Sequence, residues 1–170
     1  MTCPELAEGC TARKSSTLIN QIHSLTLCDH RAQIEQIEQI TQMDMEIENE
    51  ISYKIRGAIF NVYNKLGPGL LESAYEVALR IELEKMGCLV KTQVSLPVIY
   101  EGVTIPNAFR IDMLVDDKVI VELKAVATMQ EVFFSQLMTY LKLTGKKLGI
   151  LVNFKTTDIA KSIYRRANNL

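Results

Sequence analysis

A chain of 170 residues, 48% of them hydrophobic, is long enough for one well-buried core and too short to expect two domains. Its charges nearly cancel, leaving a net charge of −1, so composition points neither to a disordered polyelectrolyte nor to a strongly basic partner of nucleic acid. No apolar run has the length that spans a bilayer, which excludes a membrane-spanning helix from the expectations. The four cysteines, Cys3, Cys10, Cys28 and Cys88, form no C-x-x-C pair and have no histidines at zinc-ligand spacing. Reduced thiols in the cytoplasm are expected, because the first twenty residues also lack the pattern of a secretory signal.

In chain order, the sequence up to about residue 42 is polar and weakly patterned. Its repeat Gln-Ile-Glu places Ile34, Ile37 and Ile40 at every third position, which drifts around a helix of period 3.6. A short helix is the most this supports. Residues 1–42 are therefore expected to form a loosely ordered extension, or to lie upstream of the native start, and residues 43–170 to form the folded domain. From Met45 the pattern strengthens. Ile47, Ile51, Ile55, Ile59 and Val62 or Tyr63 recur at helical spacing until Gly67-Pro68-Gly69 stops the helix and permits a restart.

A second helix is predicted over 70–86, closed by Gly87. Alternation then predicts strands over 90–100, 108–115 and 118–124, with Asp116-Asp117 at the last turn. Residues 131–143 return to helical period with Gly145 as the cap, and residues 147–153 read as a short buried strand. A basic helix over 158–167, capped by Thr156 or Thr157, is expected to close the chain. This order predicts an α/β fold, a mixed sheet with helices on its faces. In the tail, Lys142, Lys146, Lys147, Lys155, Lys161, Arg165 and Arg166 oppose Asp158 alone. A solvated helix face explains that run; a surface facing phosphates is the alternative.

Chemistry concentrates between residues 110 and 124. On the strand that ends at Lys124, Ile120, Glu122 and Lys124 share one face, and a carboxylate beside an ammonium in a buried strand must be paired or bound. Asp112 interrupts the preceding strand in the same way. Two carboxylates with a lysine supply what phosphodiester hydrolysis needs: oxygen ligands for Mg²⁺ or Mn²⁺ and a cation against the developing charge. An exposed hairpin carrying ordinary surface charges is the plainer alternative. The site reading requires a connection of three residues centred on Asp117, or one bulge, because a strict two-residue turn would send Glu122 and Asp112 to opposite faces. Glu72 stands in the first turn of the second helix, either to complement its dipole or to join the site. Gln136 and Tyr140 share a helix face, as part of a half-buried polar surface or as support for the site.

Taken together, the Gly69-x-x-Glu72-x-x-Tyr75 segment, Arg110-x-Asp112, Val121-Glu122-Leu123-Lys124-Ala125, Gln136-x-x-x-Tyr140-Leu141 and Gly149-x-Leu151-x-Asn153-Phe154 resemble the bacterial and archaeal GxxExxY proteins of the PD-(D/E)XK nuclease superfamily. The resemblance covers roughly residues 46–154. It departs from that family at Tyr63 and Phe133, where members often carry histidine. It implies a restriction-endonuclease-like core in which Asp112 and Glu122 hold the metal with the Leu123 carbonyl. Glu72 is then an outer carboxylate, Lys124 orients water and stabilises the transition state, and Gln136 and Tyr140 support the site.

The expectation that follows is a Mg²⁺- or Mn²⁺-dependent nuclease acting on DNA or RNA, with a homo-oligomer left open. A non-catalytic module that keeps the fold and binds nucleic acid or protein is the alternative from a different class.

Overall fold

The computed structural model describes the backbone of residues 12–168 and the side-chain surroundings of residues 31–168. Residues 1–11, part of the expected loose extension, lie outside the described residues, as do the side chains of Cys3, Cys10 and Cys28. The chain divides into two units, Met1–Met45 and Glu46–Leu170.

Helix α1, Ala12–Leu66, begins far upstream of the expected start near Met45. No glycine or proline occurs between residues 12 and 56, and glutamine, glutamate and leucine favour the helix even without a core stripe. Residues 31–43 are all exposed along it, so periodicity failed to mark this stretch because nothing there is buried. The buried stripe is Ile51, Ile55, Ala58, Ile59 and Val62, whereas Ile47, expected to join it, is exposed.

The second unit continues with α2 (Glu72–Lys85), β1 (Val90–Tyr100), β2 (Val103–Val115), β3 (Val119–Lys124), α3 (Glu131–Thr144), β4 (Leu148–Asn153), a 3₁₀ turn (Ile159–Ser162) and β5 (Ile163–Ala167). The five strands lie in sequence order across one mixed sheet, with β3 and β4 parallel and every other pair antiparallel. Helix α3 is the crossover that the parallel pair requires.

Strand alternation divides the core into two layers. Val115, Val119, Val121, Leu123, Ile150 and Val152 belong with the apolar faces of α1 and α2. Leu114, Ile120 and Leu151 belong with Leu137, Tyr140 and Leu141 of α3, and Ile111 joins them out of phase with Met113, so the alternation of β2 breaks at Asp112. Glu122 follows Ile120 on the α3 face of β3 and is therefore carried into the core by the strand's own period.

The basic helix expected over 158–167 is not formed. A 3₁₀ turn leads instead into β5, which pairs antiparallel with β4 from Leu148↔Ala167 to Val152↔Ile163. The parallel β3–β4 pair leaves the other edge of β4 with unsatisfied backbone groups, and pairing satisfies them. Ile163 packs in one layer and Tyr164 in the other, the alternation of a strand.

The β2–β3 register follows Met113↔Val121, Leu114↔Ile120 and Val115↔Val119. The connection thus contains Asp116, Asp117 and Lys118, centred on Asp117, and the paired register ends at Met113↔Val121, one residue short of Asp112 and Glu122. Asp116 and Asp117 both take positive φ, at 51° and 54°, which aspartate tolerates better than most residues. Asp116 fastens the loop to the α2–β1 connection. Its Oδ1 accepts the Leu89 N–H at 2.7 Å, and its own N–H donates to the Leu89 carbonyl at 2.8 Å.

Candidate functional site

Where β2 and β3 meet Asp112, a side chain takes over from the ladder. Asp112 Oδ2 accepts the Leu123 N–H at 2.9 Å, which holds its carboxylate over the backbone between Glu122 and Lys124. Lys124 Nζ donates to Glu122 Oε1 at 2.7 Å and lies 5.3 Å from the centre of the Phe133 ring. Glu122 is 1% exposed, and its second oxygen, Oε2, is buried with no hydrogen-bond partner.

Glu72 arrives from the opposite layer, and its position is explained by the segment before it. Gly69 has φ 112°, a conformation that side chains resist. The fully buried Tyr75 pins the turn: its hydroxyl donates to the Gly67 carbonyl at 2.7 Å and accepts the Leu70 N–H at 3.1 Å. Its ring stacks on Phe154 at 4.2 Å between centroids. Helix α2 therefore starts at Glu72, whose Oε1 accepts the Ala125 N–H at 2.9 Å just beyond Lys124. The glutamate side chain remains open to solvent.

Gln136 and Tyr140 support the site from α3. Gln136 Nε2 donates to the Tyr140 hydroxyl at 2.5 Å, and that hydroxyl donates to the Arg110 carbonyl at 3.3 Å. They brace the β2 backbone two residues before Asp112.

The electrostatics follow from crowding. Burial, then the charge of Asp112, pushes the Glu122 carboxyl up to about 7, against the pull of Lys124. Burial also raises Asp112, opposed by the Leu123 N–H and Lys124, with Glu72 adding to the rise. For Lys124 burial acts to lower the pKa, but the Glu122 hydrogen bond and the charges of Glu122, Asp112 and Glu72 together raise it. Lys124 stays an ammonium. Burial raises Tyr140 as well.

Glu72, Asp112, Glu122, Lys124, Gln136 and Tyr140, all singled out in the sequence, are thus brought around one end of β3. Sequence reasoning gave Phe133 no task, though it precedes Gln136 by one helical turn and its ring meets Lys124. Asn153 also lacked one. It is buried and clamps the strand after Lys124: Oδ1 accepts the Val126 N–H at 3.1 Å, and Nδ2 donates to the Val126 carbonyl at 2.9 Å. Asn153 is the partner of Lys124 across the parallel pair, a register that the sequence does not mark.

Residues 49–166 match the family model of the PD-(D/E)XK nuclease superfamily. The chain belongs to the PD-(D/E)XK nuclease superfamily. Its mixed five-stranded sheet with three helices is the restriction-endonuclease-like α/β architecture. Comparison with curated proteins and with solved structures finds no match. PD-(D/E)XK membership implies a nuclease-like domain with nucleic acid as its substrate, and nucleases of the superfamily typically use divalent metals. Among the described residues, no three His, Cys, Asp or Glu side chains meet closely enough to hold a metal unaided. The donors that do fit a hard cation are oxygens: the Asp112 and Glu122 carboxylates and the Leu123 carbonyl. The orphaned Glu122 Oε2 fits the same role, because a buried carboxylate oxygen without a partner is costly until something binds it. Among the described residues no helix is long and apolar enough to cross a membrane.

Proposed function

We propose that this PD-(D/E)XK domain is a metal-dependent nuclease hydrolysing phosphodiesters of DNA or RNA, and that it falls in the GxxExxY subfamily. The observation that carries this reading is the buried, unpartnered Oε2 of Glu122 beside Asp112, with Lys124 on the other oxygen. Each residue has a separate task. Asp112, Glu122 and the Leu123 carbonyl would hold Mg²⁺ or Mn²⁺, and Glu72 would contribute an outer carboxylate. The bound cation supplies Lewis acidity and neutralises charge at the phosphate. Lys124 orients the attacking water and, with its ammonium held charged, offsets negative charge developing on the phosphate oxygens. Phe133 shields one side of that ammonium. Gln136 and Tyr140 fix the β2 backbone so that the Asp112 carboxylate stays in place.

One feature favours a non-catalytic binding module instead: Lys124 already pairs with Glu122, and among the described residues no three His, Cys, Asp or Glu side chains meet closely enough to hold a metal unaided. Metal titration separates the readings. Isothermal calorimetry with Mn²⁺ is expected to show one binding event that disappears in Asp112→Ala. No heat and no thermal shift at millimolar metal would leave the binding module standing.

A further inference from the structure

Beside the Glu72–Lys124 end of the sheet lies an open cleft of about 430 Å³ lined by Pro68, Ala127, Lys155, Thr156 and Thr157. We infer that this cleft is a second nucleic-acid subsite, in which Lys155 and Thr157 hold a substrate phosphate flanking the one cleaved. The inference rests on the nuclease reading for its ligand class and goes beyond it in assigning a site.

Every wall of the cleft is a direct continuation of the catalytic end. Ala127 follows Lys124 along the strand exit, Lys155 follows Asn153, the register partner of Lys124, and Pro68 precedes Glu72 in the turn. A nucleic-acid strand leaving the reacting phosphate therefore meets it next. The volume lies in the range of about 300–1,000 Å³ that small-molecule sites occupy, room for a nucleotide unit and not for phosphate alone.

Each wall is also pinned from the core. Asn153 clamps Val126, the Tyr63 hydroxyl donates to the Thr156 carbonyl at 2.5 Å, and Tyr75 holds both Gly67 and Leu70. Thr156 Oγ1 braces the floor by accepting the Asp158 N–H at 3.1 Å. These largely half-buried hydrogen bonds hold three loops in a concave shape, which limits the ordering cost of binding.

Position together with pairing distinguishes Lys155 within the basic tail, because Lys142 is also exposed but lies on α3 and does not line the cleft. Lys146 donates to the Asp117 carbonyl, Lys161 pairs with Asp158, Arg165 reaches Asn49 and Arg166 lies over Phe134. The Lys155 ammonium and the Thr157 hydroxyl are exposed, and among the described residues neither is engaged by another group. An ammonium and a hydroxyl at the lip of a cleft match the charge and acceptor oxygens of a phosphate.

The test is binding of fluorescein-labelled single- and double-stranded oligonucleotides, with and without a 5′-phosphate, by full-length protein carrying Lys124→Ala to prevent cleavage. Fluorescence anisotropy in Mg²⁺ is compared after adding Lys155→Ala, Lys155→Arg, Thr157→Val or Lys142→Ala, the last an exposed lysine of the same run. Lys155→Ala is expected to weaken binding about five- to twentyfold and to lower the salt slope by about one, as for one lost phosphate contact. Lys155→Arg should restore most of it, Thr157→Val should cost about two- to threefold, and Lys142→Ala should change little. Loss on every oligonucleotide identifies an internal phosphate; loss only with the 5′-phosphate identifies a terminal one, and either supports the subsite. Equal effects of Lys155→Ala and Lys142→Ala, or no binding by the parent, overturn it. Cleavage by the protein with native Lys124 is scored separately, so an inactive nuclease with a working cleft is distinguishable from an active nuclease without one.

Discussion

Glu122 is the group of the site whose charge changes near neutral pH. Its folded pKa of about 7 lies above the ordinary 4.5, so between these values the native state holds a proton that the unfolded chain releases. Stability of the metal-free protein should therefore fall as pH rises from about 4.5 to 7 and level off above. Glu122→Gln, uncharged at every pH, should flatten that slope and raise metal-free stability by up to about 2 kcal/mol at pH 8, with little change at pH 4. Urea unfolding in EDTA across this range reads it directly. A steeper slope in the glutamine variant would mean that the carboxylate is comfortable where it sits. The residue scale is also where the sequence was most informative, because charges in a strand otherwise made of valine, isoleucine and leucine declare themselves. Phe133 and Asn153 did not, since an aromatic on a helix face and an amide at a strand end have ordinary uses.

Among the elements, the contact between α3 and β4 sets how the support residues reach the site. A Cβ added at Gly149 would stand 2.7 Å from Leu137 Cδ1 and 3.0 Å from its Cγ, and Leu137 is fully buried. Either the Leu137 side chain leaves its rotamer or α3 shifts. Gly149→Ala should cost about 1–3 kcal/mol by overpacking, and should reduce kcat by displacing Gln136 and Tyr140 from β2. Thermal unfolding together with kcat tests this; an unchanged melting temperature would show that the layer is loosely packed. Legibility at this scale followed burial. Strands β1, β3 and β4 and helix α3 stand within a residue or so of their expected limits, because one or both faces are apolar. The three-residue connection between β2 and β3 was inferable from the face argument alone. β5 was misread as a helix, since basic residues in a tail carry no period and only the free edge of β4 demands a strand.

For the whole molecule, the buried stripe of α1 begins only after the polar, fully exposed stretch over 31–43. We propose that the folded domain starts near residue 43, in keeping with the division of the chain after Met45. Limited proteolysis should trim the protein to a stable product starting near Met43 or Met45, with a melting temperature close to that of the full chain. Loss of folding on truncation would place residues of the upstream helix in the core. On the proposed reading, the carboxylates and lysine at the end of β3 serve phosphodiester hydrolysis. The measurement that tests it most directly is cleavage of end-labelled single- and double-stranded DNA and RNA in Mn²⁺, comparing the native chain with Lys124→Ala and Asp112→Ala. Metal-dependent cleavage is expected, falling by about 100-fold or more in Lys124→Ala while metal binding persists, and vanishing along with metal binding in Asp112→Ala. Cleavage surviving both substitutions, or none by the native chain with any divalent metal, would contradict that reading.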